Sequence, residues 1–125
     1  MSARRRITPA LVRRLALALP ETIESSHLSR PDFRVRNKIF ATLPPDGQTV
    51  VLRLAPADVD VLVSAAQATF WNEWRGRWLG IRLDRVALPV LRDLLADAWR
   101  TVAPKRLAAA AKTSGTKPRS LSAIS

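Results

Sequence analysis

The stretch that decides the fold is residues 30–54, which run RPDFRVRNKIFATLPPDGQTVVLRL. Within it, residues 33–36, 39–43 and 48–54 are short runs rich in β-branched and aromatic side chains. Proline, aspartate and glycine cluster at 44–47, between the last two runs, and such clusters form tight turns between antiparallel strands. We therefore predict an antiparallel meander built from these runs.

A helix is predicted upstream of the meander. Thr8 is placed as its N-cap and Pro9 at its first position. One face of this helix carries three leucines spaced four residues apart: Leu11, Leu15 and Leu19. Because the residue before a proline avoids the helical region, we expect Pro20 to end the helix. A short strand at 22–24 is predicted to follow.

Two further helices are predicted downstream of the meander. Pro56 opens the first, whose apolar face comprises Val59, Leu62, Val63 and Ala66. Residues 70–80 hold three tryptophans, two glycines and little periodicity, which predicts a loop leading into a last strand at 78–83. The final helix starts near Leu88, because Pro89 is tolerated only in a first turn, and its apolar stripe comprises Leu88, Leu91, Leu95, Ala98 and Val102. These elements predict an α+β fold with N- and C-terminal helices covering one face of the sheet.

The length and composition indicate a single small domain. The chain has 125 residues and 47% hydrophobic content, enough for one core without disulfides or metal. We expect the domain to span 8–107, with a basic arm at 1–7 and a basic, disordered tail at 108–125. The absence of cysteine excludes a disulfide framework and thiol catalysis. No apolar run reaches the roughly 18 residues of a membrane span and no signal-peptide pattern is present, so we expect a cytoplasmic protein.

Positive charge is concentrated at the two ends of the chain. The formal net charge is +11, and residues 1–14 and 104–125 each carry five basic residues and no acid. The span between them is therefore almost neutral. Basic ends can hold a polyanion, either nucleic acid or an anionic membrane surface, by releasing its counterions. An arginine- and alanine-rich composition of the kind that GC-rich genomes encode is the alternative explanation.

Arg34, Arg36 and Lys38 are candidate phosphate ligands. Their spacing of two would place them on one side of a strand and its turn, as a basic wing. If Asn37 and Lys38 form the turn, this basic side shares a face with core residues such as Ile39. A shift of one residue reverses the faces, and both registers are open at this point.

Three tryptophans form the second candidate surface. Trp71, Trp74 and Trp78 are interleaved with Arg75 and Arg77. Indole rings stack on bases and arginine neutralises phosphates, so this stretch can form a nucleic-acid contact. Core packing is the alternative, and the apolar neighbours of Trp78 favour it for that ring.

The sequence does not indicate a catalytic or metal site. His27 is the only histidine, which excludes a multi-histidine metal site. Ser25, Ser26 and Ser29 lie near it without the strand-turn-helix pattern of a nucleophile elbow. A pocket formed by His27 and Arg30 beside Phe33 is the one enzymatic possibility. We therefore expect no enzyme, no cofactor and no metal.

Several short motifs follow one another along the chain in an order that is typical of a known family. RPxFRVR at 30–36, KIFATL at 38–43, PPDG at 44–47 and AWRxVAPK at 98–105 follow a proline-ended first helix. With this order and spacing, the chain resembles the MmcQ/YjbR family of small bacterial proteins over roughly 8–107. The resemblance implies a CyaY-like (frataxin-like) α+β fold and DNA binding through two hairpin projections, a double-wing motif. It does not imply iron binding, because the acidic residues here are scattered.

The function that we predict is weakly sequence-specific binding of nucleic acid, specifically duplex DNA. The residues expected to contact phosphates are Arg30, Arg34, Arg36, Lys38, Arg75 and Arg77. The alternative is a non-enzymatic module that binds a protein or small ligand through an exposed sheet face including Phe33 or Phe40. An enzyme with a pocket near His27 is the least favoured class.

Overall fold

The structure is a computed structural model that describes residues 6–113, with residues 111–113 described by their backbone alone. Within this range the chain forms four helices and six strands. In chain order the elements are α1 (Pro9–Leu17), β1 (Ile23–His27), β2 (Arg30–Val35), β3 (Lys38–Thr42), β4 (Thr49–Arg53), α2 (Pro56–Ala65), β5 (Phe70–Trp74), β6 (Trp78–Arg82), α3 (Leu88–Val102) and α4 (Lys105–Thr113).

The six strands form one antiparallel sheet in the order β1-β2-β3-β4-β6-β5. Helices α1 and α3 pack on its central strands and α2 packs on β5 and β6. The buried core lies between these helices and one face of the sheet, and it includes Phe33, Leu52 and Ile81 from strands and Leu91 and Leu95 from α3. The predicted α+β fold with helices on one face is confirmed.

The helix boundaries follow the proline and capping signals. The Thr8 hydroxyl oxygen accepts a hydrogen bond from the Leu11 amide at 3.1 Å, which confirms the predicted N-cap. The first helix ends at Leu17, before Pro20. On α3, the Trp99 indole nitrogen donates to the Pro20 carbonyl oxygen at 2.9 Å, so this helix is bonded to the segment that follows α1.

The core extends beyond both predicted domain boundaries. Ile7, placed by the sequence in the N-terminal arm, is 9% exposed and belongs to the core. The helix α4 crosses the predicted boundary at 107, and Leu107 and Ala108 pack against the core. Residues 1–5 of the arm and 114–125 of the tail lie outside the described residues. Between 6 and 113, no helix is long and apolar enough to span a membrane.

The prediction of a loop at 70–80 is wrong, because its first half is strand β5. A shift of register between Asn72 and Trp74 breaks the two-residue alternation by which strands are recognised. The interpretation of Trp78 as a core residue is also wrong. Leu79 and Ile81 are fully buried under the helices, so Trp78 alternates onto the opposite face of β6.

Two tight turns project from the same end of the sheet. Arg36 and Asn37 connect β2 to β3 with φ angles of +51° and +69°, and Arg75 and Gly76 lead from β5 to β6 with φ angles of +50° and +70°. Paired positive φ angles are typical of type I′ turns, which give narrow hairpin ends. Because β4 pairs antiparallel with both β3 and β6, β3 and β6 run in the same direction, and the turns that precede them lie at one end. We call this the tip end.

Candidate nucleic-acid interface

The tip end carries two projections at a fixed separation. In the strand order, the β2–β3 pair and the β6–β5 pair are centred three strand positions apart. At about 4.8 Å per strand, the two turns are about 14 Å apart before the twist of the sheet is considered. Between them, β4 ends at Arg53. The tip end is therefore a pair of hairpin tips on one sheet.

Four of the six predicted ligands lie at this end and are exposed: Arg36, Lys38, Arg75 and Arg77. Arg36 forms a salt bridge of 3.1 Å with Glu21, and the two side chains are 59% and 47% exposed. A pair this exposed contributes little to stability, so Arg36 remains available to a phosphate. Among the other acids near this end, Asp58 and Asp60 begin α2 on the helix-covered side, and Glu73 lies on β5 two residues before Arg75.

The expectation that Arg34, Arg36 and Lys38 project from one side is wrong. The turn falls at 36–37, so Lys38 lies on the returning strand opposite Val35, whereas Arg34 lies opposite Ile39. Neighbouring positions along a strand face opposite sides of the sheet. Arg34 therefore lies on the face without helices and Lys38 at the end of the helix-covered face, with Arg36 between them in the turn.

The side chain of Arg34 is held by Asp32 rather than presented to solvent. Its Nε donates to Oδ1 of Asp32 at 2.7 Å and its Nη2 donates to Oδ2 at 3.0 Å, while Nη1 donates to Oδ1 of Asn37 at 3.0 Å. The Asp32 side chain is fully buried and that of Arg34 is 19% exposed. The hydrogen bonds to Asp32 raise the pKa of the Arg34 guanidinium above its ordinary value. Arg34 thus braces the first tip, and its charge is compensated.

Arg30 is not brought to the tip end. It lies opposite His27 at the other end of β2, and its Nε is buried without a hydrogen-bond partner among residues 6–113. His27 and Arg30 do not line a pocket with Phe33, because Phe33 is fully buried under the helices while His27 is exposed on the opposite face. The described residues hold no group of three or more side chains placed to bind a metal ion.

The alternative docking surface was assigned to the wrong face. Phe33 and Phe40 are both fully buried in the core, because a bulge near Phe40 turns it to the same side as Ala41. Neither ring can contact a partner. The face that has no helix over it carries other residues, of which the sequence had grouped only the three tryptophans.

We use the name helix-free face for the surface of β4, β6 and β5 that no helix covers. It is formed by Val51, Arg53, Trp71, Trp74, Trp78, Gly80 and Arg82. The indole of Trp71 lies directly on Gly80, where an added Cβ would be 2.1 Å from Cε2 of the ring. Val51, the neighbour of Gly80 on β4, is only 4% exposed. Since no helix covers this face, its own side chains bury Val51.

Each tryptophan of the helix-free face is stacked with an arginine. The distances from guanidinium carbon to ring centroid are 6.0 Å for Arg53 with Trp78, 4.9 Å for Arg75 with Trp74 and 5.2 Å for Arg82 with Trp71. Such contacts are cation–π interactions. In the described part of the chain, none of these three arginines forms a salt bridge, whereas Arg13, Arg34, Arg36 and Arg100 all do.

An open cleft of about 350 Å³ lies at the end of the sheet opposite the tips. Its lining residues are Gln48, Thr49, Gln67, Ala68, Arg82, Asp84 and Arg85. All of these side chains except Ala68 are polar, and most are exposed, so the cleft offers few apolar contacts to a small ligand.

The fold and the paired tips define a class of small α+β proteins with two parallel hairpin projections. The family model YjbR matches residues 17–101. The chain therefore belongs to the YjbR family.

Two solved structures share the fold. One is a crystal structure of a Deinococcus radiodurans protein that has the family-model domain DUF419. The two sequences are 18% identical, the match covers 92% of this chain and 86% of that chain, and the TM-score is 0.67. The other is a protein from Pseudomonas syringae, with 13% identity, 78% of this chain and 100% of that chain covered, and a TM-score of 0.62. No curated protein matches the chain. At these identities the likeness concerns the fold alone.

Proposed function

We propose that the protein binds duplex DNA with weak sequence specificity, through phosphate contacts at the tip end. The observation that carries this proposal is the placement of two narrow basic turns, Arg36–Asn37 and Arg75–Gly76, at one end of one sheet. The proposed role is binding without catalysis, in which arginine and lysine side chains contact phosphates.

The separation of the tips suits a DNA groove. The major groove is about 12 Å wide, and the tips are about 14 Å apart by strand spacing. Two projections at this distance can reach the sugar-phosphate backbones on both sides of the groove. A single tip would reach only one, so the pair fixes the orientation of the protein on the duplex.

The chemistry of the tips supports weak specificity. Lys38, Arg36 and Arg77 are flexible cations suited to phosphate oxygens, and phosphate contacts carry no direct sequence information. No helix projects from the tip end in the manner of a recognition helix within the described residues. The basic residues at 1–5 and 112–119 would add affinity on every sequence equally.

The test compares two variants that lose the same charge. In the tip variant Arg36, Lys38 and Arg77 are changed to glutamine; Arg75 is kept because it stacks on Trp74. In the control variant the changes are Arg85→Gln, Arg92→Gln and Arg106→Gln, all at exposed positions outside the tips. Fluorescence anisotropy on a labelled duplex, repeated across salt concentrations, gives the affinity and its salt dependence.

We expect the tip variant to bind more weakly than the control variant at every salt concentration. The log–log salt slope should fall by about 0.9 for each of the three side chains that contacts a phosphate, and the control should retain nearly the wild-type slope. Equal losses in the two variants would show that net charge alone attracts DNA and would overturn the assignment to the tips. No binding by the wild type at low salt would reject the function.

A further inference from the structure

The helix-free face has an excess of positive charge, because Arg53, Arg75 and Arg82 lie over its rings and outnumber the carboxylate of Glu73. Arg53 and Arg82 lie over indole rings and form no salt bridge among residues 6–113. The nearest acid on β5, Glu73, accepts a hydrogen bond from the Trp71 indole nitrogen at 2.7 Å. The acid on β2, Asp32, is held by Arg34. A partner of this face is therefore expected to be an anion.

The same face presents an aromatic ring to solvent. Trp74 is 57% exposed, and it lies beside Trp78 in the β5–β6 pair. A large exposed ring in a small protein is a common feature of a contact surface. Guanidinium groups lie over and beside these rings. A ligand that matches the face therefore needs flat apolar groups to stack on the rings, with negative charges close to those groups. Nucleotides joined by phosphates have both.

Two of the three rings, those of Trp71 and Trp78, are held in place before any ligand arrives. Gly80 leaves room for the Trp71 indole to lie against the backbone of β6, and Glu73 fixes the indole nitrogen. The guanidinium group of Arg53 lies over the ring of Trp78. A surface ordered in this way loses little side-chain entropy on binding, which favours affinity.

A duplex cannot use these rings, because its bases are already stacked inside the helix. An unpaired strand exposes the faces of its bases, and proteins bind such strands by stacking them on aromatic side chains next to a basic groove. We infer that the helix-free face is a second site, which binds single-stranded nucleic acid by stacking a base on Trp74 and holding phosphates with Arg53 and Arg82. This inference does not depend on duplex binding by the tips.

The test uses the full chain and two strands that differ only in their bases. One probe is a short fluorescein-labelled oligo-dT, and the other is an abasic deoxyribose-phosphate strand of equal length and charge. The variants are Trp74→Ala, Trp74→Phe and the control Leu28→Ala, which removes an 86% exposed apolar side chain at the opposite end of the sheet. Circular dichroism and thermal melts confirm that each variant is folded.

We expect Trp74→Ala to weaken oligo-dT binding about 5- to 100-fold, since stacking on one ring contributes at this level. Trp74→Phe keeps an aromatic face and should recover most of the affinity, and Leu28→Ala should match the wild type. The abasic strand should bind more weakly than oligo-dT and should respond less than twofold to Trp74→Ala. Binding of oligo-dT should also quench tryptophan fluorescence, and less so in Trp74→Ala.

Two results would overturn the inference. Equal affinity for the abasic strand and oligo-dT would assign the face to polyanions in general, and equal behaviour of Trp74→Ala and Leu28→Ala would remove the ring from the site. The tip variant separates this site from the proposed function, because it should lose duplex and retain oligo-dT. If only duplex binding fails, the proposed function is rejected and the single-strand site is retained. If only oligo-dT binding fails, the single-strand site is rejected and duplex binding by the tips is retained.

Discussion

Replacing Gly80 with alanine is expected to displace the Trp71 indole from the helix-free face. An ideal Cβ at this position would lie 2.1 Å from Cε2, 2.3 Å from Cζ2 and 2.5 Å from Cδ2 of the ring. Non-bonded carbon atoms pack at about 3.5 Å, so the ring has to move by roughly 1.4 Å. Because β6 is paired with β4 on one side and β5 on the other, the side chain gives way rather than the strand.

The expected cost is about 2 kcal/mol of the free energy of unfolding, within the range of about 1–3 kcal/mol for inserting a methyl group into a packed site. The displaced ring also leaves its contact with Arg82 and its hydrogen bond to Glu73. Urea denaturation measures the loss as a lower midpoint at an unchanged slope. Near-ultraviolet circular dichroism should change at the same time, since the environment of one indole changes.

A second background tests the cause. With Trp71→Ala already present, Gly80→Ala has no ring to displace and should cost less than about 0.5 kcal/mol, or stabilise, because glycine within a strand is unfavourable. An equal cost with and without Trp71 would refute the explanation. So would a Gly80→Ala protein as stable as the wild type.

Three further substitutions test the core and the brace of the first tip. Leu91 and Leu95 are 0% and 1% exposed, so replacing either with alanine should lower the free energy of unfolding by roughly 2–5 kcal/mol in denaturant melts. Losses under about 0.5 kcal/mol would mean that this stripe of α3 does not pack on the sheet. Asp32→Asn removes the charged partner of Arg34, whose side chain is 19% exposed and can turn toward water, so we expect a loss of about 1–3 kcal/mol. An unchanged midpoint would contradict the bracing role.

The elements that the sequence predicted well are those with local signals. Pro89 and the apolar stripe placed α3, and the structure has it at Leu88–Val102. The turn at 44–47 forms because the Asp46 carboxylate accepts hydrogen bonds from the amides of Gln48 and Thr49 at 2.7 and 3.1 Å. These interactions lie within a few residues along the chain, so their pattern is visible in one dimension.

The helix-free face could not be predicted in the same way. It depends on β4 pairing with β6, which brings Arg53 opposite Trp78 across the intervening α2 and β5. Strand order is a tertiary property, and the bulge in β5 hid the alternation of its rings. One local signal was present: the sequence Trp78-Leu79-Gly80-Ile81-Arg82 alternates with a period of two, which turns Trp78 away from the core.

The directions of the side chains in the basic wing could not be predicted from the sequence, for a different reason. The register at the first tip decided whether Arg34 faced the helices, and a difference of one residue reverses the answer. Arg36 and Asn37 both adopt positive φ angles, which the sequence favours at Asn37 but not at arginine. The burial of Asp32 beside Arg34 followed from this register and was not visible in the pattern of charges.

The measurement that tests the central claim most directly is a map of the residues that contact duplex DNA. Amide chemical shifts of the full chain, recorded while a short duplex is added at low salt, report each position separately. We predict the largest changes at Arg36–Lys38 and Arg75–Arg77, the two hairpin tips. Changes confined to the basic residues at the chain ends, or centred on the cleft around Gln48 and Arg85, would contradict binding by the tips.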